Sequence, residues 1–143
     1  MMEDLFKIGV VGYSNDDIFD HNIAKALLEI ALDLVTKVHK SKKYELVSGL
    51  TSCGIPKLAY EIADKKEWIT VGLTAEEAQK YDCYNVSKTI IEGKKFGDES
   101  EKFIDYIDCL VRVGGGKQSM KETEMAKKNG MPVYEYDLPE IEG

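Results

Sequence analysis

Apolar residues fall along this chain in two patterns, short unbroken blocks and longer stretches with helical spacing, and the two take turns. Phe6 to Val11 (FKIGVV) is a short block interrupted only by Lys7, which predicts a strand covered on both faces. It stops at Gly12-Tyr13-Ser14-Asn15. Ile23, Leu27, Ile30, Ala31, Leu34, Val35 and Val38 then repeat at the helical period and predict a helix over roughly Asp20 to Lys40, with Asp16 and Asp17 read as residues of its start. A second strand is read at Tyr44 to Val47. Pro56 fits the first turn of the next helix, whose buried stripe is Leu58, Ala59, Ile62 and Ala63. Trp68 to Leu73 gives a third strand and Val86 to Ile91 a short fourth one. Thr74 with Glu77, and Asp98 with Glu101, have capping-box spacing; the first opens a short helix to about Lys80, the second a helix of about ten residues with Phe103, Ile104 and Ile107 inward. Cys109 to Val113 is a further strand, Met120 to Lys128 a helix stopped by Asn129-Gly130, and Pro132 to Tyr136 the last strand.

Strands alternating with helices predict an α/β protein with a mainly parallel sheet covered by helices on both faces, a single Rossmann-like domain over residues 1–143. Crossovers of one hand put the loops that follow the strands on one edge. The bends at Gly12, Gly49 and Gly114 are therefore expected to converge, although far apart in sequence.

Composition narrows the function classes. With 26 acidic and 19 basic residues the net charge is -7, which repels polyanions and argues against broad nucleic-acid binding. A small anion held by local donors is not excluded by that field. The three cysteines, Cys53, Cys83 and Cys109, have no CxxC spacing, so neither a disulfide framework nor a zinc knuckle is expected, and a reducing cytoplasm fits. Cys109 reads as a core residue, and Cys53, in a glycine-containing loop, as the one to test for reactivity. His21 and His39 are both placed on the first helix as solvent-facing residues, so no metal site is expected. The acidic start MMEDLFKIGVVG is unlike a signal peptide, and no segment has the length of a membrane span.

The chemistry concentrates in DCLVRVGGGKQSMKETE, Asp108 to Glu124. A strand runs into Gly114-Gly115-Gly116 and then into a helix start. Such an arrangement offers unpaired amides and a positive dipole end to a phosphate or carboxylate. A second reading stands beside it: Ser119 and Glu122 have capping-box spacing, which needs no ligand. Lys117 is read either as a solvated loop lysine or as a phosphate partner.

These residues resemble the superfamily that joins the "lonely guy" phosphoribohydrolases, the DNA-processing protein A domain and the molybdenum-cofactor carrier proteins. The PGGxGTxxE signature is matched by GGGKQSMKE, with Gly115 and Gly116 at the paired glycines, Ser119 at the threonine and Glu122 at the glutamate. SGLTSCGIP is similar to the family's GGGSxGLM segment, with Gly49, Ser52 and Gly54 in register, and GMPVYEY to its final strand. The resemblance implies a nucleotide ligand whose phosphate sits on Gly115, Gly116 and Ser119, with Glu122 near the ribose. Gly114 and Gln118 depart from the signature. Glu99-Ser100 stands where the hydrolases carry an arginine-lysine pair, which leaves Lys94 or Lys95 to supply a cation.

Three functions follow. The leading one is a cytoplasmic binding protein for a nucleotide or nucleotide-derived small molecule, using Gly12, Ser14, Gly49, Ser52, Gly54, Gly114, Gly115, Gly116, Lys117 and Ser119, with no cofactor. The alternative is a phosphoribohydrolase that cleaves the N-glycosidic bond of a nucleoside monophosphate through Glu122 and Lys95. The third is an interaction protein that kept the fold without the ligand. The expected partner is a small phosphorylated molecule rather than a membrane or nucleic acid, and family analogy adds a homo-oligomer.

Overall fold

The computed structural model describes residues 4–141. The elements run β1 (Leu5–Gly12), α1 (His21–Val38), β2 (Lys43–Ser48), α2 (Gly54–Lys65), β3 (Ile69–Thr74), β4 (Lys88–Ile91), α3 (Ser100–Tyr106), β5 (Cys109–Val113), α4 (Lys117–Lys128) and β6 (Val133–Tyr136). Short 3-10 turns occupy Asp16–Ile18 and Glu76–Lys80. The strands form one sheet in the order β4-β3-β2-β1-β5-β6, and every pairing is parallel. The direction of winding reverses between β1 and β5, the place where sheets of this kind leave a crevice beyond the carboxyl ends of the strands.

Alternation along each strand divides the core into two layers. Ile8, Val10, Leu46 and Val111 pack with Leu28, Leu32, Ala59 and Ala63 of α1 and α2. Val11, Val47, Val71 and Leu110 pack with Phe103, Ile104 and Ala126 of α3 and α4 on the opposite face. The expected helices on both faces are therefore present. Among the described residues no helix is long and apolar enough to cross a membrane.

The expected capping boxes are absent, because their residues are taken by tertiary partners or by a local turn. Thr74 is a buried residue of β3, and Glu77 instead accepts from the amide of Phe96 at 3.3 Å. Asp98 lies before Glu99, the residue that precedes α3, and its carboxylate accepts from the amides of Lys94 and Lys95 at 3.1 and 3.0 Å. The helix after it has 7 residues rather than about ten. Ser119 and Glu122 lie within α4, which starts at Lys117 instead of Met120 and has no side-chain cap. His39 also departs from expectation: it ends α1 half-buried, its ring stacked on Phe6 at 4.7 Å and its Nε2 2.9 Å from the Tyr134 hydroxyl.

Candidate functional site

The loops after β1, β2 and β5 meet on the carboxyl rim and enclose a cleft of about 460 Å³. Its floor is the end of β1, Val10 to Gly12, and its walls come from Ser48, Gly49 and Thr51 on one side and Gly116 to Ser119 on the other.

The β5 loop owes its shape to glycine at two positions. Gly114 and Gly115 have φ of 60° and 111°, in the left-handed region that side chains disfavour. A Cβ on Gly114 would lie 2.4 Å from the Tyr13 ring, and one on Gly115 2.6 Å from Cβ of Ser119. The bend thus turns tightly behind the first turn of α4. Arg112, 6% exposed within β5, holds it from below: Nη1 donates to the Gly114 carbonyl at 2.8 Å, while Nε and Nη2 meet Glu135 and Asp137 at 3.3 and 2.9 Å. Ser119 Oγ donates to the Gly12 carbonyl at 3.2 Å and ties α4 to the end of β1. With no side chain capping α4, its first amides and positive dipole end are available where Gly116, Lys117, Gln118 and Ser119 line the cleft.

The start of α2 is different. Its Gly54 amide donates to the Asp16 carboxylate at 2.6 Å and its Ile55 amide to the Tyr13 carbonyl at 2.8 Å. Asp16 is in effect an internal anion at that helix end, so this second glycine segment closes on the chain itself. Cys53 precedes α2, and its thiol donates to the Ser14 carbonyl at 3.0 Å. Cys109 lies in the core, where burial pushes its thiol up to about 12.

The third wall is acidic. Glu99 and Glu122 are 4% and 5% exposed and both line the cleft. Ser100 Oγ donates to Glu122 Oε2 at 2.9 Å, and the Gln118 amide reaches Glu99 Oε2 at 3.4 Å and Glu122 Oε2 at 3.5 Å. Burial pushes the Glu122 carboxyl up to about 7; its bonds from Ser100 and Gln118 pull against that shift, and the neighbouring Glu99 charge reinforces it. At neutral pH Glu122 therefore divides between the acid and carboxylate forms.

Of the residues singled out in the sequence, Gly12, Ser14, Gly49, Gly116, Lys117, Ser119 and Glu122 line the cleft. Ser52, Gly54, Gly114 and Gly115 are not among the lining residues; Gly54, Gly114 and Gly115 shape the loops behind it. Lys94 and Lys95 are exposed on the turn before α3, outside the lining. Lys117 is the only lysine or arginine among the described lining residues. Phe96 and Thr51 line the cleft without having been expected there, and Phe103, expected only as an inward helix residue, lines it as well. Phe96 carried a signal, a large apolar residue in an otherwise polar loop.

In sequence the chain matches no family model and no curated protein. In three dimensions it is similar to TM1055, known from an X-ray structure, with 25% identity and a TM-score of 0.68 over 90% of this chain and 72% of that one. It is also similar to the molybdenum cofactor carrier protein of Chlamydomonas reinhardtii, with 20% identity and a TM-score of 0.71 over 91% of this chain and 75% of that one. The molybdenum cofactor binding protein of the phototrophic bacterium Rippkaea orientalis follows at 18% identity and a TM-score of 0.69, over 94% and 77%. The chain has the fold of the molybdenum-cofactor carrier proteins. That is one of the groups joined in the superfamily its glycine signature resembles, and Gly115, Gly116, Ser119 and Glu122 stand at the rim where this fold places its crevice.

Proposed function

We propose that the protein is a cytoplasmic binding protein for a nucleotide or nucleotide-derived small molecule, with the ligand's phosphate on the first turn of α4. The observation that carries this reading is the contrast between two helix starts on one rim: α2 is closed by Asp16, whereas α4 has no side-chain cap and lies open to the cleft. Lys117 adds the cation, and Gly114 and Gly115 let the backbone turn close to the ligand. Solved neighbours named for carrying or binding the molybdenum cofactor support a carrier role rather than turnover. The test is isothermal titration calorimetry with a panel of nucleoside monophosphates and with the molybdenum cofactor. Saturable binding that is lost with the phosphate removed supports the reading, and no binding of any of them refutes it.

A second reading is a phosphoribohydrolase. A buried carboxyl poised near neutrality in the cleft favours it, since Glu122 could protonate or stabilise a reacting sugar. Against it, Glu99 and Ser100 leave that wall without a cation, and Lys95 lies outside the lining. Release of free base from a nucleoside monophosphate, abolished in Glu122→Ala, would decide for the enzyme.

A homodimer belongs to the same proposal. Ile23, Ile30, Leu34 and Val38 of α1 are 42–58% exposed and form one stripe with half-buried Leu27. The stripe is nearly palindromic about a point between Ile30 and Ala31: Ile23 matches Val38 and Leu27 matches Leu34. An antiparallel two-fold pairing of α1 with its copy would bring each residue onto its match.

A further inference from the structure

The cleft has a feature that phosphate binding does not use. Phe96 is 41% exposed yet lines the cleft, and Tyr81, 62% exposed, stands behind it with ring centroids 6.0 Å apart. Exposed aromatic rings cost solvation unless something covers them, and here two share one place beside the crevice. The turn that carries Phe96 is fixed by its backbone. Glu77 accepts from the Phe96 amide at 3.3 Å, the Asp98 carboxylate accepts from the amides of Lys94 and Lys95, and the amides of Glu76 and Glu77 donate to the carbonyls of Gly93 and Lys94 at 3.0 and 2.9 Å. Gly93, at φ 77°, packs so closely on Asp98 that a Cβ would lie 2.3 Å away. The ring is thus presented on a braced support, which lowers the entropy lost when it takes a partner.

Its position suits the far end of a small phosphorylated ligand. Glu99, three residues after Phe96, is joined through Gln118 to the first turn of α4, so Phe96 lies within about 10 Å of chain from that contact. No cation of the described lining except Lys117 accompanies it, so this end of the cleft offers contact area and acceptors rather than positive charge.

We propose that Phe96, backed by Tyr81, is a stacking platform for a planar heteroaromatic ring, the ring being the part of the ligand that distinguishes it from a plain sugar phosphate. This rests on the reading of the α4 start as the phosphate seat. The class of ligand it selects is a phosphate ester bearing a flat ring, such as a purine or pterin.

The test compares AMP with ribose 5-phosphate, which shares the sugar and phosphate and lacks the ring, by calorimetry on the full chain. The parent protein should bind AMP at least tenfold more tightly. Phe96→Ala should reduce AMP affinity by about tenfold, leave ribose 5-phosphate unchanged, and be rescued by Phe96→Tyr; Tyr81→Ala should have a smaller effect of the same kind. Equal losses for both ligands, or no loss for AMP, would overturn the platform while the phosphate seat stood. Failure of the parent to bind either compound would overturn the platform, and the seat would fall with it only if no member of the ligand panel bound. Phe96 is exposed, so an unchanged melting curve is the expected folding control.

Discussion

Ser100 Oγ donates to Glu122 Oε2 at 2.9 Å, and the bond joins the start of α3 to α4 across the acidic wall of the cleft. A hydroxyl donor favours the carboxylate, yet burial outweighs it, and the group settles near neutrality. Between pH 4.5 and about 7 the folded chain therefore holds a proton that the unfolded chain has released. The stability this confers is complete below pH 4.5 and is lost as pH rises through 7, an effect on the order of 3 kcal/mol. Urea unfolding from pH 5 to pH 8 should show that decline, and Glu122→Gln, which has no proton to lose, should flatten it. In Ser100→Ala the carboxyl should titrate still higher, read by NMR of a carbon-13-labelled glutamate side chain.

The glycine bend separates two neighbouring positions. A methyl at 115 has no room beside Ser119 and would meet a φ of 111°, whereas one at 116 has nothing within 4 Å and a φ of -94°. Gly115→Ala should cost about 1–3 kcal/mol and Gly116→Ala under about 1 kcal/mol. Equal denaturation midpoints for the two variants would contradict the geometry.

Much of this was legible in the chain, and the failures share a cause. The block Cys109 to Val113 coincides with β5 because a parallel strand covered on both faces is mostly apolar, Arg112 being buried there only with three acceptors around its guanidinium, and Asn129-Gly130 ends α4 because Gly130, at φ 72°, suits a helix stop. The three capping-box spacings misled because serine, threonine, aspartate and glutamate serve local and tertiary partners equally well. Ser119 bonds to Gly12, 107 residues away, and Glu122 to Ser100. Asp98 is committed to a turn and Glu77 to Phe96. Nothing in residues 54 to 56 announces that Asp16 occupies their helix end, since that contact exists only once β1 and β2 lie side by side.

Asp16 itself can be tested. Its carboxylate satisfies the Gly54 amide at the positive end of α2. Asp16→Ala should cost about 1 kcal/mol, the ordinary worth of a helix-start acceptor, measured by chemical denaturation. Asp16→Asn should recover most of that loss, because an amide oxygen accepts the same bond. An Asn variant as weak as the Ala variant would mean that charge, not the hydrogen bond, carries the contribution.

Arg112 has three acceptors, and only a planar fork reaches them together: the Gly114 carbonyl, Glu135 and Asp137. Glu135 keeps a partner in Lys127 at 2.8 Å when Arg112 is removed, but the Gly114 carbonyl loses this donor. Arg112→Lys should therefore lose about 1–3 kcal/mol of stability and loosen the bend that shapes the α4 seat. Affinity for a nucleoside monophosphate should fall with it, and amide exchange at Gly114 and Gly115 should quicken relative to the core of β1. A variant that lost stability with no change in exchange at the bend would show Arg112 to be a strand residue only, without a hold on the site.

The exposed stripe of α1 predicts a two-fold contact. Leu34 stands on an open face, 42% exposed, so Leu34→Glu removes no core contact and should leave the melting curve of a monomer unchanged. In a two-fold pair the same residue occurs twice at one interface, and two added carboxylates would face apolar partners. Light scattering after size exclusion should then give the dimer mass for the parent and the monomer mass for the variant. Ile30, placed near the proposed two-fold axis, should act more strongly still as Ile30→Glu, because its own copy lies beside it. A parent protein that is monomeric at high micromolar concentration would leave the stripe exposed in solution and end the dimer proposal, without touching the cleft, whose lining residues lie off that face of α1.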